Sequence, residues 1–116
     1  MRYFIGIDVG TSGIKTIIIG EHGELIARVF KDIPLYTPHP NWTEQDPQDW
    51  WQATITTIRE AISSADIDAA SVAGIGLSGQ MHSSVMLDEN NEVLRPSILW
   101  CDTRTSEQCR WITETV

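Results

Sequence analysis

Asp8 closes the apolar run Tyr3-Phe4-Ile5-Gly6-Ile7 and is followed at once by Gly10-Thr11-Ser12-Gly13. A carboxylate at the tip of a buried strand can hold a hydrated divalent cation, and the N–H groups of a glycine-rich turn can cradle phosphate oxygens. That is the pattern of a nucleotide site, although a plain hairpin turn with glycines at its bends has the same residues. Three better-known signatures fail here. Lys15-Thr16 is preceded by Ile14 where a P-loop has glycine, and the segment joins strand to strand instead of opening a helix. Phosphatases with an aspartyl nucleophile carry a second acid two residues on, where this chain has Gly10. The aspartic-protease signature has a hydroxyl residue where Val9 stands, and a long helix after Asp46 does not suit so small a β protein.

Two further clusters could bind a polyhydroxylated ligand. Gln80-Met81-His82-Ser83 follows an apolar strand, at the edge where ligand sites of α/β sheets gather. An amide and an imidazole can bond hydroxyls while the thioether covers an apolar face, but a single histidine after a strand is also an ordinary structural residue. Trp100-Cys101-Asp102-Thr103-Arg104 puts an aromatic, an acid and a base in one loop, where Trp100 can stack on a sugar or serve as core and Asp102 can pair with Arg104. Gly74-Ile75-Gly76-Leu77-Ser78-Gly79 satisfies the dinucleotide spacing G-x-G-x-x-G. Its glycines nevertheless fall inside a strand pattern and no helix begins after Gly79, so they read as points of close packing. No V-A-I-K, H-R-D or D-F-G element of a protein kinase is present.

The elements that must hold these clusters follow from patterning. Tyr3–Asp8, Ile14–Gly20 and Leu25–Phe30 read as strands separated by the turns at Gly10–Gly13 and Glu21–Glu24, which predicts an antiparallel meander. Asp46-Pro47-Gln48-Asp49 is a helix start, with a capping acid, a proline at the first helical position and an acid in the first turn. Trp51, Ile55, Ile58 and Ile62 then recur at helical spacing, predicting an amphipathic helix of about 18 residues with that stripe on the sheet and with Trp42, Trp50 and Trp51 packed around its start. Val72–Leu77, Ser84–Asp88 and Val93–Trp100 read as further strands, and Thr105–Val116 as a helix with no closing cap, the mark of a chain continuing into something longer. This order argues for an α/β layer architecture with a mixed sheet.

Composition narrows the class. The chain has 116 residues, 41% hydrophobic and 21% charged, enough for a core and unlike disordered or collagenous sequences. Eight basic against sixteen acidic residues give a formal charge of −8, which disfavours a nucleic-acid partner. No apolar run approaches the roughly 20 residues that span a bilayer, and Met1-Arg2-Tyr3-Phe4 leads straight into a strand without a signal-peptide pattern, so a cytoplasmic location without membrane attachment is expected. Cys101 and Cys109 match neither a zinc motif nor a disulfide framework and read as free thiols.

Taken together and in order, G-I-D-V-G-T-S-G-I-K, P-H-P-N-W-T-E-Q-D-P-Q-D-W-W, G-L-S-G-Q-M-H-S-S-V and L-R-P-S-I-L-W-C-D-T-R resemble the amino-terminal part of the FGGY carbohydrate kinases over essentially the whole chain. The resemblance implies a ribonuclease H-like fold of the actin, hexokinase and heat-shock ATPase type, with residues 1–116 as the N-terminal portion of the first lobe. The second lobe and the family's catalytic aspartate then lie outside this chain, which by itself is expected to be inactive. It implies ATP and magnesium as cofactors, a sugar as substrate, and is compatible with a homodimer. By the same resemblance, Asp8 organises the magnesium ion through water and Gly10, Thr11 and Ser12 form the first phosphate loop. Gln80, Met81, His82, Trp100 and Asp102 then line the sugar site, with Arg104 close by. Met81-His82 points to D-xylulose and away from glycerol kinases, which carry an Arg-Glu pair there. Gluconate kinases share Met-His but usually not Gln80, and stand as the alternative, beside a non-catalytic sugar- or nucleotide-binding module of the same fold. Ser83 stands where many of the D-xylulose enzymes have glycine.

Overall fold

The computed structural model describes all residues, Met1–Val116. Six strands and two helices follow in chain order: β1 (Tyr3–Val9), β2 (Gly13–Gly20), β3 (Leu25–Asp32), β4 (Glu44–Gln45), α1 (Pro47–Ala65), β5 (Val72–Gly79), β6 (Ser97–Ile98) and α2 (Ser106–Thr115). They fall into two compact units, Met1–Pro34 with Gln48–Gln80, and Leu35–Pro47 with Met81–Val116.

The first unit is a four-stranded sheet in the order β3-β2-β1-β5. β1, β2 and β3 form the expected antiparallel meander, and β5 adds to β1 in parallel, which makes the sheet mixed. Ile5 and Ile7 alternate with Gly6 and Asp8, and the register places Ile18 and Thr16 opposite them, so one face of the sheet is a run of buried branched residues. α1 supplies Ala53 and Ala61 to this core, with Trp50, Ile58 and Ile62 packed at its margin. The helix face differs from the predicted one. Ala53, Thr57 and Ala61 are its buried residues and Trp51 is 60% exposed, because small side chains let the helix sit close to the β-branched sheet and turn the larger indole outward. The Thr16 and Thr57 hydroxyls, both fully buried, share a 2.8 Å hydrogen bond between sheet and helix.

The second unit is built from short pieces. β4 pairs antiparallel with β6, Glu44 opposite Ile98 and Gln45 opposite Ser97. Val93–Trp100 is therefore not one strand. Pro96 offers no N–H to a ladder, and the strand is confined to the two residues after it. Ser84–Asp88 is not a strand either. Only isolated bridges join Ser84 to Ile98 and Leu87 to Val93, around a turn in which Asp88 accepts from the N–H groups of Asn90 and Glu92. Val85, Met86 and Leu87 are all exposed, so no second layer rewards an extended ladder. α2 begins where expected and has no buried residue.

Candidate functional site

In the first unit Asp8 reaches the carboxyl end of β1, in register with Ser78 on the parallel strand β5 and Lys15 on β2. The carboxyl ends of parallel strands are where open α/β sheets place their ligands. The Asp8 side chain is exposed and engaged in no ion pair of the chain, and with Lys15 and Ser78 it lines a shallow depression of about 300 Å³ floored by Gly6 and Gly76. Beyond it the turn is closed by the Gly10 N–H donating to Gly13 O at 3.0 Å, and Ser12 O accepts from Ile33 N–H at 3.2 Å. Gly13 admits no side chain, since a Cβ there would lie 2.4 Å from Lys31 O.

The structure brings Gln80 to this turn. Its N–H donates to Val9 O at 2.9 Å, and its side-chain oxygen accepts from the Thr11 hydroxyl at 3.2 Å. The preceding Gly79 makes this possible, because a Cβ there would stand 2.6 Å from Val9 O. Asp8, Gly10, Thr11, Ser12 and Gln80 thus share one sheet end, as an α/β ligand site requires. No cluster of three metal-ligating side chains exists in the chain. A single exposed carboxylate suits magnesium, which keeps most of its waters and takes its remaining oxygens from phosphates, so the residues fit an ion held through water and not a protein cage.

The second unit holds the remaining residues. Met81 is 71% exposed and Trp100 56% exposed, and the Trp100 N–H donates to Ser83 Oγ at 3.2 Å. His82 has φ of 62°, in the left-handed region that favours glycine. A non-glycine residue held there costs on the order of 1 kcal/mol and occurs preferentially where function fixes the side chain.

Asp102 is placed differently from a ligand-facing acid. Its side chain is 2% exposed, and its oxygens accept from the N–H groups of Thr43 (2.7 Å) and Arg104 (2.8 Å) and from the Arg104 guanidinium at 2.6–3.0 Å. These bonds, the guanidinium first, hold its carboxyl well below the usual carboxylate range, and the same pairing raises Arg104. Arg104 also donates to Glu44 at 2.7 Å and stacks 3.8 Å over the Trp42 ring. Glu44 in turn accepts from Arg95 at 2.5 Å. Glu44, Arg95 and the stacking role of Trp42 were not legible as site features. The one available signal is that a buried Arg104 facing a single acid leaves donors to satisfy, which asks for a second carboxylate somewhere in the chain.

Residues 3–116 match the model of the FGGY family of carbohydrate kinases, N-terminal domain. The chain is 46% identical over 114 residues to the xylulose kinase of Bacillus subtilis, covering 98% of this chain and 23% of that relative. Among solved structures it superposes with a TM-score of 0.91 on a xyloylose kinase from Brucella ovis, at 38% identity over 96% of this chain and 23% of the other. It superposes equally well, TM-score 0.91, on a gluconate kinase from Lactobacillus acidophilus at 31% identity over 97% of this chain and 22% of that one. The chain thus spans about a quarter of the length of these relatives, and its mixed sheet with flanking helices is the actin and hexokinase type of fold that they share. On residues 3–116, the chain belongs to the FGGY family of carbohydrate kinases.

Proposed function

We propose that residues 1–116 are the leading portion of the first lobe of a cytoplasmic, ATP-dependent kinase that converts D-xylulose to D-xylulose 5-phosphate. The observation that carries this reading lies in the first unit: Asp8 and the turn Gly10–Ser12 share the carboxyl end of the sheet with Gln80, whose side chain holds Thr11. Phosphoryl transfer is chiefly positioning and charge stabilisation, and a carboxylate beside a turn of backbone N–H groups suits both. The names of the relatives, xylulose kinase at 46% and 44% identity, support the ketopentose as acceptor.

In this reading the turn Gly10–Ser12 receives phosphate oxygens, and Asp8 orients a hydrated magnesium ion through its waters. When bound, the ion compensates the charge of the phosphates. His82 and Gln80 bond sugar hydroxyls, and Met81 and Trp100 cover the carbon face. The sugar hydroxyl oxygen forms a bond to the γ-phosphorus, the bond to the bridging oxygen breaks, ADP leaves, and the hydroxyl proton goes to a base. Asp8 stands on the phosphate side and is not that base, which we place outside residues 1–116. The likeness to a gluconate kinase favours a second reading, the same chemistry on a sugar acid.

The test is ATP consumption by the full-length protein with D-xylulose, D-ribulose, glycerol or gluconate, run beside His82→Ala. Turnover selective for D-xylulose that the variant lowers by at least about tenfold supports the first reading, a hydrogen bond to substrate being worth roughly that much. Selectivity for gluconate supports the second. No turnover on any of the four by folded protein points to a binding module.

A further inference from the structure

The second unit contains an ion-pair cluster far more buried than a surface salt bridge. The side chains of Arg104, Glu44 and Asp102 are 10%, 8% and 2% exposed. Arg104 contributes both Nε and Nη2 to Asp102 and Nη2 to Glu44, while Arg95 donates to the same Glu44 oxygen, so two cations meet two anions. Trp42 covers the guanidinium at 3.8 Å and is itself buttressed edge-on by His39, ring centroids 4.5 Å apart. No buried side-chain polar atom in the chain lacks a partner. A cluster this buried and this completely satisfied admits one geometry.

The backbone it holds is the loop that carries Trp100. Leu99 N–H donates to Thr43 O at 3.0 Å, Thr43 N–H returns a bond to Asp102 at 2.7 Å, and Thr103 N–H donates to Asn41 O at 3.0 Å. Asp102 N–H closes the turn on Leu99 O at 3.0 Å, with Trp100 and Cys101 as its projecting corner. From that corner the Trp100 N–H reaches Ser83 Oγ, and Ser84 N–H bonds Ile98 O at 3.3 Å, so the loop also fixes the stretch that bears His82. Asp102 and Arg104 are thus occupied with each other and with Thr43 and Glu44, whereas the exposed Trp100 is what the cluster holds out.

We propose that Arg104, through Asp102 and Glu44, is a positioning residue of the sugar site that sets the attitude of Trp100 and of the Met81–Ser83 stretch, and that Asp102 serves this role instead of touching sugar. The inference rests on the reading of Trp100 and His82 as sugar-binding residues. Lysine keeps the charge of Arg104 but cannot reproduce its forked bonds or its stacking on Trp42.

The test uses the full-length protein with Arg104→Lys made alone and in a Trp100→Ala background, and a second readout that needs no substrate. For the latter, the protein is labelled with 5-fluorotryptophan, the Trp100 resonance is assigned by its loss in Trp100→Phe, and exposed Trp51 in the other unit is the control. Arg104→Lys is expected to shift or broaden the Trp100 resonance and leave that of Trp51 in place. It should raise KM for D-xylulose about tenfold with KM for ATP within about twofold, and add less than about twofold once Trp100 is alanine. A Trp100 resonance unmoved in Arg104→Lys overturns the proposal whatever the substrate proves to be. Equal losses in both backgrounds, or KM for ATP rising in step, overturn it too and make Arg104 a general scaffold residue. Absence of turnover by the unaltered protein, with the Trp100 resonance shifting as expected, instead overturns the kinase reading and leaves the positioning geometry standing.

Discussion

The Thr11 hydroxyl donates a 3.2 Å hydrogen bond to Gln80 Oε1, joining two turns 69 residues apart at one end of the sheet. Because this bond is part-buried and neutral, its net worth is on the order of 1 kcal/mol. Thr11→Val and Gln80→Leu should each lower the urea midpoint of the full-length protein modestly. The double variant should lose less than the sum, with a coupling of about 1 kcal/mol. Strict additivity would show that the two side chains do not meet in solution.

Asp8 carries no internal partner, so its removal should be silent in stability and loud in activity. Asp8→Asn is expected to keep the melting temperature within about 1 °C while kcat falls by at least about a hundredfold, the scale for losing electrostatic organisation of transferring phosphate. The magnesium concentration giving half-maximal rate should rise as well. A variant with an unchanged magnesium titration would remove Asp8 from the metal's surroundings.

Thr16 and Thr57 make an asymmetric prediction. Thr57 Oγ1 also donates to Thr54 O at 3.1 Å, so it is the Thr16 hydroxyl that depends on Thr57 as its side-chain partner. Thr57→Val strands the Thr16 hydroxyl in the core and should cost about 1–3 kcal/mol, whereas Thr16→Val leaves Thr57 bonded to Thr54 and should cost about 1 kcal/mol or less. Replacing both by valine should recover much of the Thr57→Val loss, read from urea unfolding midpoints. Equal costs for the two single variants would contradict the bonding direction.

Asp102 gives the pH dependence a sign. Its folded carboxyl titrates below the ordinary value of 3.8, through the Arg104 guanidinium first and backbone N–H bonds from Arg104 and Thr43. The folded state therefore binds fewer protons than the unfolded one in that range, and the stabilisation is fully present above the ordinary value and lost as pH falls below it. The difference in melting temperature between the unaltered protein and Asp102→Asn should be constant above about pH 5 and shrink steadily below about pH 4. A difference that widens on acidification would reverse the assignment.

What the residues disclosed in advance is what local physics controls. The alternation in Tyr3–Asp8 and Ile14–Gly20 and the Asp46-Pro47 cap needed no tertiary information, and β1, β2 and α1 stand where they were expected. The phase of α1 does not follow its largest residues. Packing against Ile5, Ile7 and Ile18 selected the small Ala53, Thr57 and Ala61 instead. Glu44 and Arg104 lie 60 residues apart in pieces too short to carry a periodicity, so no pattern could announce their contact. Ser84–Asp88 had the composition of a strand without a layer to cover it, and composition alone did not make it one.

His82 separates the backbone from the side chain. At φ of 62° alanine is strained, so His82→Ala removes the imidazole and retains the strain. Glycine relieves the strain and asparagine tolerates the conformation with a polar side chain. If the left-handed turn exists to aim the imidazole, His82→Gly and His82→Asn should be at least as stable as the unaltered protein. Relief of about 1 kcal/mol is partly offset, for glycine, by the greater freedom of its unfolded chain. All three variants should nevertheless lose kcat/KM for the sugar together, by about tenfold or more, with KM for ATP unchanged. Stability rising while sugar turnover falls is the behaviour of a residue held against its preference for function. A His82→Gly variant that unfolds more readily and turns over sugar normally would instead make His82 a structural turn residue.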